Sequence, residues 1–294
     1  MDTVIQILIS GIMLGGVYAL GAMGLNLIFG VANIINFAHG EFLMLGMYIA
    51  FWIWALTGID PYLATPVVFA VSFVLGAVFY LGLMRHTIYK PELTQVFATL
   101  GVGIFIQNAA LMLWSADYRT VQVLPQGAES ILVGDFFIST TRLISFCFAV
   151  VILGAVIWFI RATYTGKAIE AVSQDLPAAQ LMGIDVDRIF LITFGLGIGL
   201  TGLAGGVLIP SFYAFPTVGS YFVLVAFVVV VLGGLGSLVG TVIGGLVLGV
   251  VETGVGYLVP DLKDATHFVL LILLLAFLPN GLFGVKGAEK EALK

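Results

Sequence analysis

Residues 5–32 read IQILISGIMLGGVYALGAMGLNLIFGVA, 28 positions without one charged side chain. A helix crossing a bilayer needs ~20 mostly apolar residues to traverse ~30 Å of hydrocarbon. At ~1.5 Å per residue this run reaches ~42 Å, so it must tilt, protrude or break. The residues that follow, NIINFAHGEF (33–42), supply the means of breaking. Asn33, Asn36 and Gly40 tolerate turn geometry, and asparagine side chains can satisfy freed backbone groups. Irregular backbone at membrane depth survives only where protein or a water-filled cavity surrounds it. Asn33, Asn36, Phe37, His39 and Glu41 are therefore candidates for a translocation path, with an ordinary cytoplasmic turn as the alternative.

The rest of the chain agrees with a membrane setting. Of its 294 residues, 61% are hydrophobic and 9% charged, against about a quarter charged in ordinary soluble domains. Mean hydropathy is +1.17. Thirty-seven glycines are too many for helices in water, but in lipid they let helix backbones approach closely. A net charge of −5 and the absence of any Lys/Arg run exclude a nucleic-acid surface. The single cysteine, Cys147, cannot form an intrachain disulfide and reads as a packing residue. The start, MDTVIQ, lacks the basic region of a secretory signal, so the first apolar run is expected to stay as a span.

Apolar runs near 5–32, 41–57, 62–84, 95–115, 142–160, 189–210, 222–236, 240–258 and 266–284 predict an all-α polytopic bundle. It has nine spans, or eight if the glycine-rich pair around Gly236 does not cross twice. The whole chain, 1–294, reads as a single transmembrane domain. Placing the loop 161–188 in the cytoplasm puts Arg85, Lys90, Arg161, Lys167, Arg188, Lys286, Lys290 and Lys294 inside, and only Arg119, Arg142 and Lys263 outside. The amino terminus is then outside, and the carboxyl tail, about 285–294, is cytoplasmic.

The loop at about 163–188 is the most informative soluble segment. Ile169, Val172, Leu176 and Ala179 recur at helical steps, with Lys167, Glu170, Ser173, Gln174 and Asp175 on other faces. Pro177 should break this helix near Leu176 and open a second one capped by Asp175 or Leu176, which Gly183 would end. Its polar face is too poor in cations for a lipid-surface helix, so protein docking is the better reading. No phosphate loop accompanies it: the only Gly-Lys, Gly166-Lys167, is followed by alanine.

The string GIGLTG (197–202) matches a dinucleotide fingerprint by letter but sits inside a span and follows no strand. Helix packing explains it better, with Gly195/Gly199 and Gly202/Gly206 four apart on one face and Gly236, Gly240 and Gly244 as a second ladder. Glu41 and Glu252 are the carboxylates within or at spans, where an ionisable group costs ~3 kcal/mol unless it meets a cavity or partner. Glu252, near a span end, could also be solvated at the interface. Gln107 and Asn108 offer amides within a span. His39, His86 and His267 show no metal-ligand spacing, and no catalytic arrangement is present.

Four runs, GGVYALGAMGLNLIFGVANIINFAHGEFLMLGMY, GKAIEAVSQDLPAAQLMGIDVDRIFLITFGLGIGLTGLAGGVL, VVLGGLGSLVGTVIGGLVLGVVE and LLLAFLPNGLFG, resemble in that order the permease subunits of branched-chain amino acid ABC importers of the LivH type. The resemblance implies a multi-pass subunit of a bacterial inner-membrane importer. Its partners would be a second homologous permease, two ATPases that hold ATP and Mg, and an extracytoplasmic solute-binding protein. The loop residues Gly166, Glu170, Ala171, Asp175, Pro177, Ala179, Met182 and Gly183 would then be the coupling element for the ATPases. This chain would bind no cofactor and no metal itself. Related members commonly carry lysine where this chain has Val225. Similar permeases serve urea, amides and small organic acids, and an ion-coupled secondary transporter using Glu41, His39 or Glu252 is the alternative class.

Overall fold

The computed structural model describes residues 2–123, 130–133, 136–278 and 281–283. The expected cytoplasmic tail, with Lys286, Lys290 and Lys294, lies outside them. The helices are α1 (Asp2–Ala32), α2 (His39–Thr57), α3 (Pro61–Thr87), α4 (Glu92–Trp114), α5 (Thr140–Ala162), α6 (Tyr164–Gln174), α7 (Leu176–Leu181), α8 (Val186–Leu208), α9 (Val218–Gly233), α10 (Leu238–Leu258) and α11 (Ala265–Phe277). Seven of these, α1–α5, α8 and α10, are long and apolar enough to cross a membrane. At the seventh and ninth expected spans stand the shorter α9 and α11, of 16 and 13 residues. At ~1.5 Å per residue these reach only ~24 and ~20 Å, less than the hydrocarbon thickness.

An antiparallel hairpin, β1 (Ser130–Val133) with β2 (Phe136–Ser139), departs from the all-helical expectation. Ile131, Phe137 and Ile138 supply the β-branched and aromatic residues that favour strand pairing. The Gln6 side chain bonds both the carbonyl (2.8 Å) and the N–H (3.2 Å) of Phe137, so the hairpin covers the start of α1. Tyr62 at the start of α3 bonds Ser145 Oγ near the start of α5 (2.9 Å), and Ser145 bonds the Val207 carbonyl near the end of α8 (3.1 Å). These contacts define the hairpin end of the bundle. The α6–α7 loop lies at the other.

The core is one continuous apolar cluster with α1 and α8 at its centre. Glycine sets the spacing. A Cβ at Gly15 would fall 2.5 Å from the Gly245 carbonyl oxygen, and one at Gly11 would fall 2.6 Å from Val250 Cα, so α1 and α10 touch backbone to backbone. On α8, the four predicted glycines face α3: Gly195 and Gly199 meet the rings of Phe73 and Phe69, Gly202 meets Ser72, and Gly206 meets Val68. Gly240 and Gly244 pack against Gly233 and the Val229 carbonyl of α9. Gly236 corrects the second ladder, for it lies ahead of α10 in the turn, at φ +83°. Asn26, buried in α1, accepts from Gly236 N–H (2.7 Å) and donates to the Ser237 carbonyl (2.8 Å) and Thr241 Oγ1 (2.6 Å), fixing that turn. Cys147 also departs from expectation: it is exposed on α5 rather than packed.

Candidate translocation path and coupling surface

α1 stops at Ala32 because Asn33 adopts φ +53°, the left-handed conformation that ends helices and that asparagine tolerates. The chain then runs without helix until α2 begins at His39. That start is deep in the bundle. Ala38 abuts Gly103, the central residue of α4, and Phe37 N–H donates to Thr99 Oγ1 (3.3 Å). His39 Nε2 meets the Gly21 carbonyl (2.9 Å), eleven residues short of the end of α1, or ~16 Å along its axis. Its Nδ1 lies 3.3 Å from Thr201 Oγ1 on α8. α1 thus runs unbroken for 31 residues, and the path candidates lie on the non-helical return that follows it and on the buried first turn of α2.

Around the break, the predicted residues divide. Asn36 is fully buried and accepts from Ala38 N–H (3.1 Å), while the Phe37 ring lies 5.4 Å from Phe227 of α9. Glu41 is buried beside Gly219 at the start of α9. Asn33 is exposed at the end of α1. Gln107, half-buried, follows Gly103 by one turn on the same face of α4. Asn108 is corrected: it is exposed and bonds the Ile104 carbonyl of its own helix (2.8 Å), away from the break.

Glu252 is not solvated at an interface either, since its side chain is completely buried. Oε1 accepts from Tyr18 (3.2 Å) and Tyr221 (3.4 Å) and pairs with Lys263 Nζ (3.3 Å), and Oε2 meets His267 Nε2 (3.1 Å). His267 and Glu252 are far apart in any ligand pattern, yet the α10–α11 turn folds them together. Among the described residues, no group of three or more His, Cys, Asp or Glu side chains could hold a metal.

At the opposite end, Thr163 caps α6 by accepting from Gly166 N–H (3.0 Å), and Asp175 caps α7 by accepting from Ala178 N–H (2.9 Å). Gly183, at φ +82°, follows α7. Gly166, Ile169, Val172 and Ala179 face the bundle, and Gly166 sits directly on the Ile160 carbonyl. Glu170, Asp175, Pro177 and Met182 are exposed, and Ala171 is half-buried. Tyr164 and Leu181, which the periodicity did not single out, are exposed at 85% and 89%. The loop also grips α3, where Asp187 at the foot of α8 accepts from Tyr80 (2.6 Å) and pairs with Arg85 (3.0 Å) across a π-helical turn at Tyr80–Met84.

Residues 7–278 match the family described as branched-chain amino acid transport system, permease component. The chain belongs to this permease family. It is 34% identical to the high-affinity branched-chain amino acid transport system permease protein LivH of Escherichia coli K12 and to that of Salmonella typhimurium, over 97% of both chains in each case. It is 33% identical, again over 97% of each chain, to the permease protein BraD of Pseudomonas aeruginosa. No solved structure matches it. The permease is thus a multi-pass helical membrane protein. Val225 is buried and helps line an apolar cavity of about 10 Å³ with Tyr18, Gly21, Leu43 and Phe222. The cavity has room for about one water.

Proposed function

We propose that this permease is the membrane subunit of an ATP-driven importer of branched-chain amino acids. It lies in the bacterial inner membrane as one domain, with its hairpin end outside and the α6–α7 loop in the cytoplasm. Two ATPases, holding ATP and Mg, dock on that loop, a second permease completes the path, and a solute-binding protein delivers substrate outside. The observation that carries the reading is the loop itself. Two capped helices, anchored on the bundle by Ile169, Val172 and Ala179, hold Tyr164, Leu181 and Met182 out as exposed apolar contacts. An anchored helix transmits force that a loose loop would absorb. Through Asp187, Tyr80 and Arg85, a push on the loop reaches α3 and α8. The bundle then switches access at the Asn36–Glu41 break, and ATP hydrolysis is left to the partners.

Purification of the tagged chain should bring a second permease and two ATPases with it, and the complex in proteoliposomes should accumulate leucine only with ATP and its binding protein. Uptake that ignores vanadate and collapses with an uncoupler would instead establish an ion-coupled transporter.

A further inference from the structure

α2 begins inside the bundle, and its first turn meets that of α9, where Val218 and Gly219 are buried and Thr217 and Ser220 exposed. A Cβ at Gly40 would collide with the Gly219 carbonyl oxygen, and one at Gly219 would fall 2.5 Å from Glu41 Oε2. Neither helix has a side-chain cap; the backbone bonds His39 N–H to the Asn36 carbonyl, Glu41 N–H to the Ala38 carbonyl, Val218 N–H to the Phe215 carbonyl and Ser220 N–H to the Thr217 carbonyl, and the Gly40 and Gly219 N–H groups are left without a backbone partner. Uncapped N–H groups at a helix start carry partial positive charge and suit an anion.

Two polar side chains point to what the junction receives. Glu41 is 7% exposed and its Oε2 has no hydrogen-bond partner. Asn36 is 0% exposed, and its Nδ2 has none either. A carboxyl oxygen and an amide N–H buried without hydrogen-bond partners are costly. The flank is apolar, with Val223 Cβ 3.0 Å from the Gly40 Cβ position and the Phe227 ring tilted against that of Phe37.

We propose that this junction is the binding subsite of the translocation path for a zwitterionic amino acid with an apolar side chain. The inference rests on the importer reading above. Glu41 Oε2 receives the ammonium group, the Gly219 N–H at the start of α9 donates to the carboxylate, and Phe37, Val223 and Phe227 receive the side chain. Urea and amides lack both charges, and a carboxylic acid without an amine would set its charge against Glu41. With Gly40 and Gly219 in contact the junction is closed; it opens when the two first turns separate. The glycines allow that closure, since a side chain at either position would prop it open.

The test uses the complete importer, with its ATPases, second permease and binding protein, in proteoliposomes. Glu41→Gln should lower ATP-dependent leucine uptake at least ten-fold, while co-purification and ATPase stimulation by the loaded binding protein stay within two-fold of wild type. Glu41→Asp, which keeps the charge, should recover a substantial part of the uptake. Leucine uptake by Glu41→Gln within two-fold of wild type overturns the assignment, as does an equal loss in both variants. A second measurement needs no variant. Leucine should raise the thermal midpoint of the complex without its binding protein, whereas leucinol and 4-methylpentanoate should not; equal stabilisation by 4-methylpentanoate overturns the proposal. A wild-type complex that imports acetamide and not leucine overturns both this assignment and the substrate reading beneath it.

Discussion

Replacing Glu252 with alanine removes the acceptor shared by α1, α9 and α11. Four groups lose a partner: the Tyr18 and Tyr221 hydroxyls, His267 Nε2 and the Lys263 ammonium. Lys263 is 45% exposed in its side chain and can turn outward, so its share is below ~1 kcal/mol. The other three lie within the bundle. Hydrogen bonds between membrane helices average ~0.6 kcal/mol and reach ~1.7 at most, so the three together contribute about 2 to 5 kcal/mol. The cost of burying the carboxylate works the other way, but removing one member of a buried pair is still destabilising by about 3–5 kcal/mol. A loss of about 2–4 kcal/mol is expected. The four tryptophans provide a fluorescence signal for unfolding by SDS titration in mixed micelles. Glu252→Gln keeps an acceptor for the tyrosines and should lose about half as much, and Glu252→Ala combined with His267→Ala should lose less than the sum of the two. A Glu252→Ala protein within ~0.5 kcal/mol of wild type, or strict additivity with His267→Ala, would refute the reasoning.

Asp175→Arg removes the α7 cap, worth ~1 kcal/mol, from a helix of six residues, and Ala179→Trp forces a large ring into a buried alanine site. Both should uncouple ATP hydrolysis from uptake while the spans assemble normally, and unchanged uptake in both would count against the coupling role. Asn36→Leu should reduce leucine uptake several-fold without reducing recovery of the ATPases in a pull-down, because it alters the break and leaves the loop untouched. Gly245→Leu sets a side chain against the Gly15 carbonyl and Ala19, so it should lower the thermal midpoint of the purified chain by several degrees, as read by differential scanning fluorimetry.

Much of this architecture is legible in the sequence because membrane constraints are severe. A long uncharged run has few readings other than a span, and Pro177 between apolar positions at helical spacing pointed to two helices with Asp175 or Leu176 as the cap, of which the structure uses Asp175. The length of the first run left tilting, protrusion or a break open, and α1 covers the run as one helix of 31 residues that ends only at Asn33. What the sequence hid was tertiary. Asn26 is one polar residue in an apolar run, and only the approach of the α9–α10 turn gives it three bonds. The His267 partner stands fifteen residues away across a helical turn, a spacing that no ligand motif uses. The short lengths of α9 and α11 were concealed because apolar composition continues past the helix ends, and the hairpin because its strands are only four residues each. Asn108 misled for the opposite reason: an amide in a span can satisfy itself on its own backbone one turn back.

The close seam between α1 and α10 also bears on how the chain is made. Tyr18 and Glu252, which meet across it, are 234 residues apart. At ~5–20 residues per second, synthesis leaves α1 in the bilayer for on the order of 10–50 s before its principal neighbour exists. During that interval its glycine face can be covered only by lipid tails, and Asn26 has none of its eventual partners. The first helix inserted is therefore among the last to be locked. A chain cut short before α10 would leave an amide and a bare backbone groove facing the membrane, which distinguishes an unfinished permease from a finished one.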